Sequence, residues 1–151
     1  MSKEQESIDL VHCIYCSAST SANFDQSGLE SLLEECRRKN GEAGISGILL
    51  YRDGSFFQVL EGERGVVQAL YNKISMDKRH SKTTKIVFEP IPERAFAAWT
   101  MGFPRIRDTE FGEIPGLNDF FAQGKSFFEL GEGRAKTLLA AFKEGMWRSK
   151  I

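Results

Sequence analysis

Residues 45–62 read ISGILLYRDGSFFQVLEG, and their reading decides the fold. Two β-rich apolar runs flank Asp53-Gly54, the strongest short-range hairpin signal, because a tight two-residue turn favours residues that tolerate positive φ. The second run is apolar at consecutive positions, so both of its faces must meet other protein. Gln58 interrupts it, on the face shared by Phe56 and Leu60. A buried amide left unpaired costs about 1–3 kcal/mol, so Gln58 needs a partner that Leu would not.

Outward from the hairpin, residues 10–17 (LVHCIYCS) read as a first strand and residues 17–26 as a small polar loop. Leu29, Leu32, Leu33 and Cys36 recur at i, i+3, i+4 and i+7 and predict an amphipathic helix to about Asn40, with Ser27 as N-cap and Gly41 as C′ stop. Val66, Val67, Leu70, Tyr71 and Ile74 mark a second helix. Residues 83–89 predict a fourth strand and residues 98–103 a short fifth. The order β-α-β-β-α-β-β is that of an α+β, ferredoxin-like sandwich, with two helices on one face of a mixed sheet. The strands are apolar on both sides, so the second face needs cover. Ala135, Leu138, Leu139, Phe142 and Met146 form a stripe at helical spacing and predict a C-terminal helical cap there, after a region broken by Gly116, Gly124, Gly131 and Gly133.

A chain of 151 residues is one compact domain with a short appendage. Its net charge of -1 argues against a nucleic-acid partner, which needs a basic field. The local clusters Arg37-Arg38-Lys39 and Lys78-Arg79-His80 read, by themselves, as solvated helix ends. The N-terminus lacks the apolar core of a signal peptide, and no apolar run approaches the roughly 18 residues that span a bilayer. Three cysteines suit a reduced, cytoplasmic protein better than a disulfide scaffold.

Several chemical motifs fail on inspection. Cys13-Ile14-Tyr15-Cys16 matches C-x-x-C, but strand positions three apart face opposite sides of a sheet, and no second pair completes a zinc site. No Gly-rich phosphate loop of the Rossmann or P-loop kind occurs. His12 and His80 have no nucleophile signature around them, and residues 18–25 hold no Lys or Arg for phosphatase chemistry. No catalytic and no metal-ligating set emerges.

Tyr15 in the first strand, Gln58 in the third and Asn40 at the end of the first helix are the polar residues that remain. The first and third strands of a ferredoxin-like sheet are central neighbours, so Tyr15 and Gln58 can face each other; taken alone, this is equally a core tyrosine satisfying a core glutamine. The wider pattern adds to it. Ile14-Tyr15-Cys16-Ser17-Ala18, Asn40 and Gly44-Ile45-Ser46-Gly47-Ile48-Leu49-Leu50-Tyr51 are followed by Gly54-Ser55-Phe56-Phe57-Gln58-Val59-Leu60-Glu61-Gly62. Asp77-Lys78-Arg79-His80 and Arg94-Ala95-Phe96-Ala97-Ala98-Trp99-Thr100-Met101-Gly102-Phe103 complete the series. Over residues 9–103 this resembles a BLUF domain, the flavin-binding blue-light sensor module.

The resemblance implies non-covalent FAD, with FMN sharing the same ring, held between the two helices. It places the photoactive pair on Tyr15 and Gln58 and the contact to the flavin pyrimidine edge on Asn40. The family position before that asparagine often carries His or Asn and here is Lys39, a departure at the second contact to the flavin carbonyl. Ile45 falls among the flavin-binding positions, as do Arg79 and His80 near the ribityl and phosphate parts, with Asp77 fixing their loop. Trp99 and Met101 match the family's relay positions on the last strand. A glutamine amide has a donor end and an acceptor end, so rotating or tautomerising it after light-driven transfer from Tyr15 exchanges its bonds and shifts the flavin band to the red. Residues 104–151 resemble no effector domain, so output through an unidentified partner protein or a change of oligomeric state is expected. A light-insensitive interaction module on the same fold is the competing reading, and a small ferredoxin-like enzyme is disfavoured by the missing nucleophile and arginine.

Overall fold

The computed structural model of the chain describes residues 9–19, 26–52, 55–76, 80–97, 100–102 and 132–143. The elements run β1 (Leu10–Ser19), α1 (Gln26–Ala43), β2 (Ser46–Arg52), β3 (Ser55–Glu63), α2 (Arg64–Met76), β4 (His80–Pro90) and α3 (Glu132–Lys143). The sheet order is β2-β3-β1-β4, with every neighbouring pair antiparallel. This is the ferredoxin-like arrangement that the hairpin and the helix spacing predict. The fifth strand differs. Among the described residues it is a single parallel bridge from Gly102 to Ile48 of β2, while residues 98, 99 and 103 lie outside them.

Element ends also differ, for local reasons. Helix α1 begins at Gln26, which puts Ser27 inside it, and it runs through Gly41. The left-handed residue that stops it is Gly44, at φ 72°. The Ile45 N–H then donates to the Asn40 carbonyl at 2.9 Å, the six-to-one bond of a Schellman stop. Strand β4 starts three residues before the predicted Thr83, because its ladder with β1 continues to the His80–Ser19 pair through a register shift. A backbone ladder of this kind leaves no apolar pattern to read.

Alternation on the strands sorts the core into two layers. Val11, Cys13 and Tyr15 of β1 face α1 and α2 and meet Leu32, Leu33 and Val67. Ile14 and Cys16 face the other way, with Phe57, Val59 and Phe96, and there Ala135 and Leu138 of α3 are fully buried. Each large apolar side chain so enclosed contributes about 1.5–3 kcal/mol. The expected cap is thus carried by α3; the Phe142 side chain and Met146 lie outside the described residues.

One carboxylate is wholly enclosed in the second layer's end. Glu61 accepts from the Ser46 hydroxyl at 2.9 Å and from the backbone N–H groups of Ala95 at 2.6 Å and Phe96 at 3.0 Å. Arg94 binds the same corner through Ser46 Oγ, the Glu61 carbonyl and the Gly44 carbonyl, at 2.8, 3.1 and 2.7 Å. These bonds fix residues 94–96 against the sheet and direct the chain toward residues 100–102.

Candidate functional site

Neighbouring β1 and β3 are in a register that sets Tyr15 opposite Gln58. The Tyr15 hydroxyl donates to Gln58 Oε1. At its other end, Gln58 Nε2 donates to the Met101 sulfur at 3.2 Å. All three side chains are buried, so an apolar residue at position 58 would strand the Tyr15 hydroxyl. Burial pushes the Tyr15 phenol well above its ordinary pKa, with Cys36, Cys13, Tyr71 and Cys16 adding in the same direction. Tyr15 therefore stays protonated and remains a donor.

Met101 is brought to Gln58 by α1. Arg37 Nε donates to the Met101 carbonyl and Asn40 Nδ2 to the Thr100 carbonyl, both at 2.8 Å. Gly102 ties the segment to β2, donating to the Gly47 carbonyl at 2.9 Å and accepting from the Leu49 N–H at 2.8 Å. The Tyr71 ring of α2 lies edge-on to Tyr15 at 5.5 Å between centroids, and Lys85 Nζ sits 4.8 Å over that ring.

Between α1 and α2 a cavity of about 1080 Å³ ends on Tyr15 and Gln58. Leu32, Leu49, Leu60, Val66, Leu70 and Ile74 wall it, and the exposed Arg38, Lys39 and Lys73 line it as well. Its volume is that of a cofactor site and its apolar walls suit a flat aromatic ring, while Glu35, Glu42 and Glu63 share the lining with the three cations. Asn40, buried at the same cavity, uses one amide hydrogen on Thr100 and has three further hydrogen-bonding positions for the polar edge of a ligand. The donor set therefore fits a flavin nucleotide.

The other predicted positions divide. Lys39 lines the cavity, where it pairs with Glu35 at 3.1 Å. Ile45 packs in the helix-side core and is not on the cavity wall. Asp77, Arg79 and Trp99 lie outside the described residues, and of His80 only the backbone, opening β4, lies within them. Cys13 and Cys16 do face opposite layers, and burial pushes both thiols up to about 12. Among the described residues no cluster could hold a metal ion, and no helix is long and apolar enough to cross a membrane. Sequence reasoning missed Arg37, taken as a solvated helix end, and Glu61. The available signal for Glu61 was a carboxylate in phase with Phe57 and Val59 on a two-sided apolar strand.

The model of the BLUF family, sensors of blue-light using FAD, matches residues 10–102, and the chain belongs to that family. It is 36% identical over 104 residues to the photoactivated adenylate cyclase subunit beta of Euglena longa, covering 68% of this chain and 12% of that one. It is 30% identical over 102 residues to the blue light- and temperature-regulated antirepressor BluF of Escherichia coli, covering 68% of this chain and 25% of that one. Among solved structures, BlsA in its photo-activated state superposes with a TM-score of 0.73 at 32% identity, covering 89% of this chain and 94% of that one.

Proposed function

We propose that the protein is a cytoplasmic blue-light receptor that holds FAD non-covalently between α1 and α2 and reads its excitation through Tyr15, Gln58 and Met101. The observation that carries this reading is the two-ended bond of Gln58 at the inner end of the cavity. Asn40 and Lys39 would contact the ring's polar edge, Ile45 would back the site, and Asp77, Arg79 and His80 would serve the ribityl and phosphate parts. FAD is the flavin of the family's description, and FMN shares the ring that the site reads.

When bound, the flavin supplies blue-light absorption and an excited state that takes up an electron. Tyr15 would be the electron donor, and its hydroxyl proton would move along the existing bond to Gln58 Oε1. As both return, the amide settles with its ends exchanged. Nε2 then faces the Tyr15 oxygen, which can accept, but Oε1 faces the Met101 sulfur, which has no hydrogen to give. The Gln58–Met101 bond is lost and Met101 is released. A bond worth about 1 kcal/mol net shifts a two-state population several-fold.

Residues 9–103 would form the sensor and residues 104–151 the cap and output unit, with Trp99 as the second relay residue. The signal passes to a partner protein or to a second copy of the chain. The test is purification under native conditions, extraction of the bound flavin, and blue illumination. A flavin band that moves to the red and returns in the dark is expected; a colourless protein that takes up no FAD would overturn the proposal.

A further inference from the structure

We infer that Arg37 is a positioning residue for the light switch: its Nε–H holds the Met101 carbonyl so that the Met101 sulfur stands ready for Gln58. The inference rests on the receptor function proposed above. Residues 100 and 101 have no strand ladder, and among the described residues the sheet's backbone holds this segment through the two bonds of Gly102. The remaining grip comes from one turn of α1, where Arg37 and Asn40 take successive carbonyls at 2.8 Å each. A methionine side chain is unbranched and flexible, so a fixed sulfur needs a fixed backbone.

The two grips differ in kind. Asn40 lines the cavity and is engaged with any ligand there, whereas Arg37 is not among the lining residues and is largely exposed. Arg37 therefore acts on Met101 without touching the ligand, and its contribution is separable from cofactor binding. The donor is Nε and not a terminal nitrogen. A glutamine side chain carries its amide nitrogen the same number of bonds from the backbone, so it can make this bond without the charge.

The test follows the methyl resonance of Met101, one of four methionines, in flavin-loaded protein labelled at its methionine methyls, in the dark and under blue light. In Arg37→Leu the dark Met101 resonance moves toward its unstructured position and its light-induced change falls at least several-fold, while bound flavin and red shift persist. In Arg37→Gln both features return to near wild type. Glu34→Gln, exposed on the same helix and off the cavity, leaves Met101 unmoved. An unchanged Met101 resonance in Arg37→Leu overturns the inference, and so does equal loss in Arg37→Leu and Arg37→Gln, which would make charge the cause. The dark comparison needs no photoreaction, so a wild type that is silent to light counts against the receptor function and not against this result.

Discussion

Gln58 accepts from Tyr15 and donates to the sulfur of Met101 at 3.2 Å, so one amide joins β1 to the segment that follows β4. Gln58→Leu strands the buried Tyr15 hydroxyl and is expected to cost about 1–3 kcal/mol in urea unfolding. Tyr15→Phe added to it should cost less than the sum of the two, because the second change removes the stranded group. The Leu variant should keep its flavin and lose the red shift; a normal shift would refute the switch.

Gly47 should tolerate no side chain. A Cβ there would fall on the Val59 carbonyl oxygen, which belongs to the sheet backbone and cannot swing away. Gly47→Ala is expected to cost about 3–4 kcal/mol, at the top of the usual range for one substitution. The Gly47 carbonyl also anchors Gly102, so the Met101 methyl resonance should broaden in the same variant. A loss below about 1 kcal/mol would show that the strand edge yields.

Acid should loosen α3 before it unfolds the sheet. His12, nearly buried on β1, bonds Glu89 at 2.9 Å, and Glu89 also meets Lys136 of α3 at 3.5 Å, which in turn pairs with Glu132 at 3.2 Å. The hydrogen bond from His12 holds the Glu89 carboxyl below the usual carboxylate range, and Lys136 adds to it. A lowered folded pKa gives stability that is complete above the unfolded value near about 4.3 and is lost as pH falls through the folded one. Amide exchange in α3 should therefore accelerate below about pH 4. Glu89→Gln should exchange faster at neutral pH and show a flatter acid response; identical profiles would remove Glu89 from the latch.

Two of the three thiols should be inert. With Cys13 and Cys16 pushed up to about 12 by burial, a thiol reagent at pH 8 meets almost no thiolate at either. Native protein should react at Cys36 alone, which is half-buried, and unfolded protein at all three. Rapid native labelling of Cys13 or Cys16 would show that one layer opens.

The sequence carried the parts of this fold that side-chain periodicity encodes. The alternation around Gln58 and the Asp-Gly turn gave β2, β3 and their register, and Leu32, Leu33 and Cys36 gave the face of α1. What it hid was held by backbone. The helix stop fell on Gly44 because conformation, not composition, separates it from Gly41. The strand expected at residues 98–103 reduced, among the described residues, to one bridge at Gly102, because two α1 side chains take bonds that a ladder would make. Asn40 and Gln58 were legible as polar residues in apolar settings, while Arg37 was not, since a bond to a distant carbonyl leaves no mark on its neighbours.

Strand β1 sets light input and cap back to back. Tyr15 projects into the layer under α1 and α2, while Ile14 and Cys16 belong to the layer that α3 closes. The cavity lies in the first layer and α3 packs on the second, so a tilt of the strand at Tyr15 is felt at Ile14 and Cys16. The partition between the chromophore chamber and the outer helix is a single polypeptide thick.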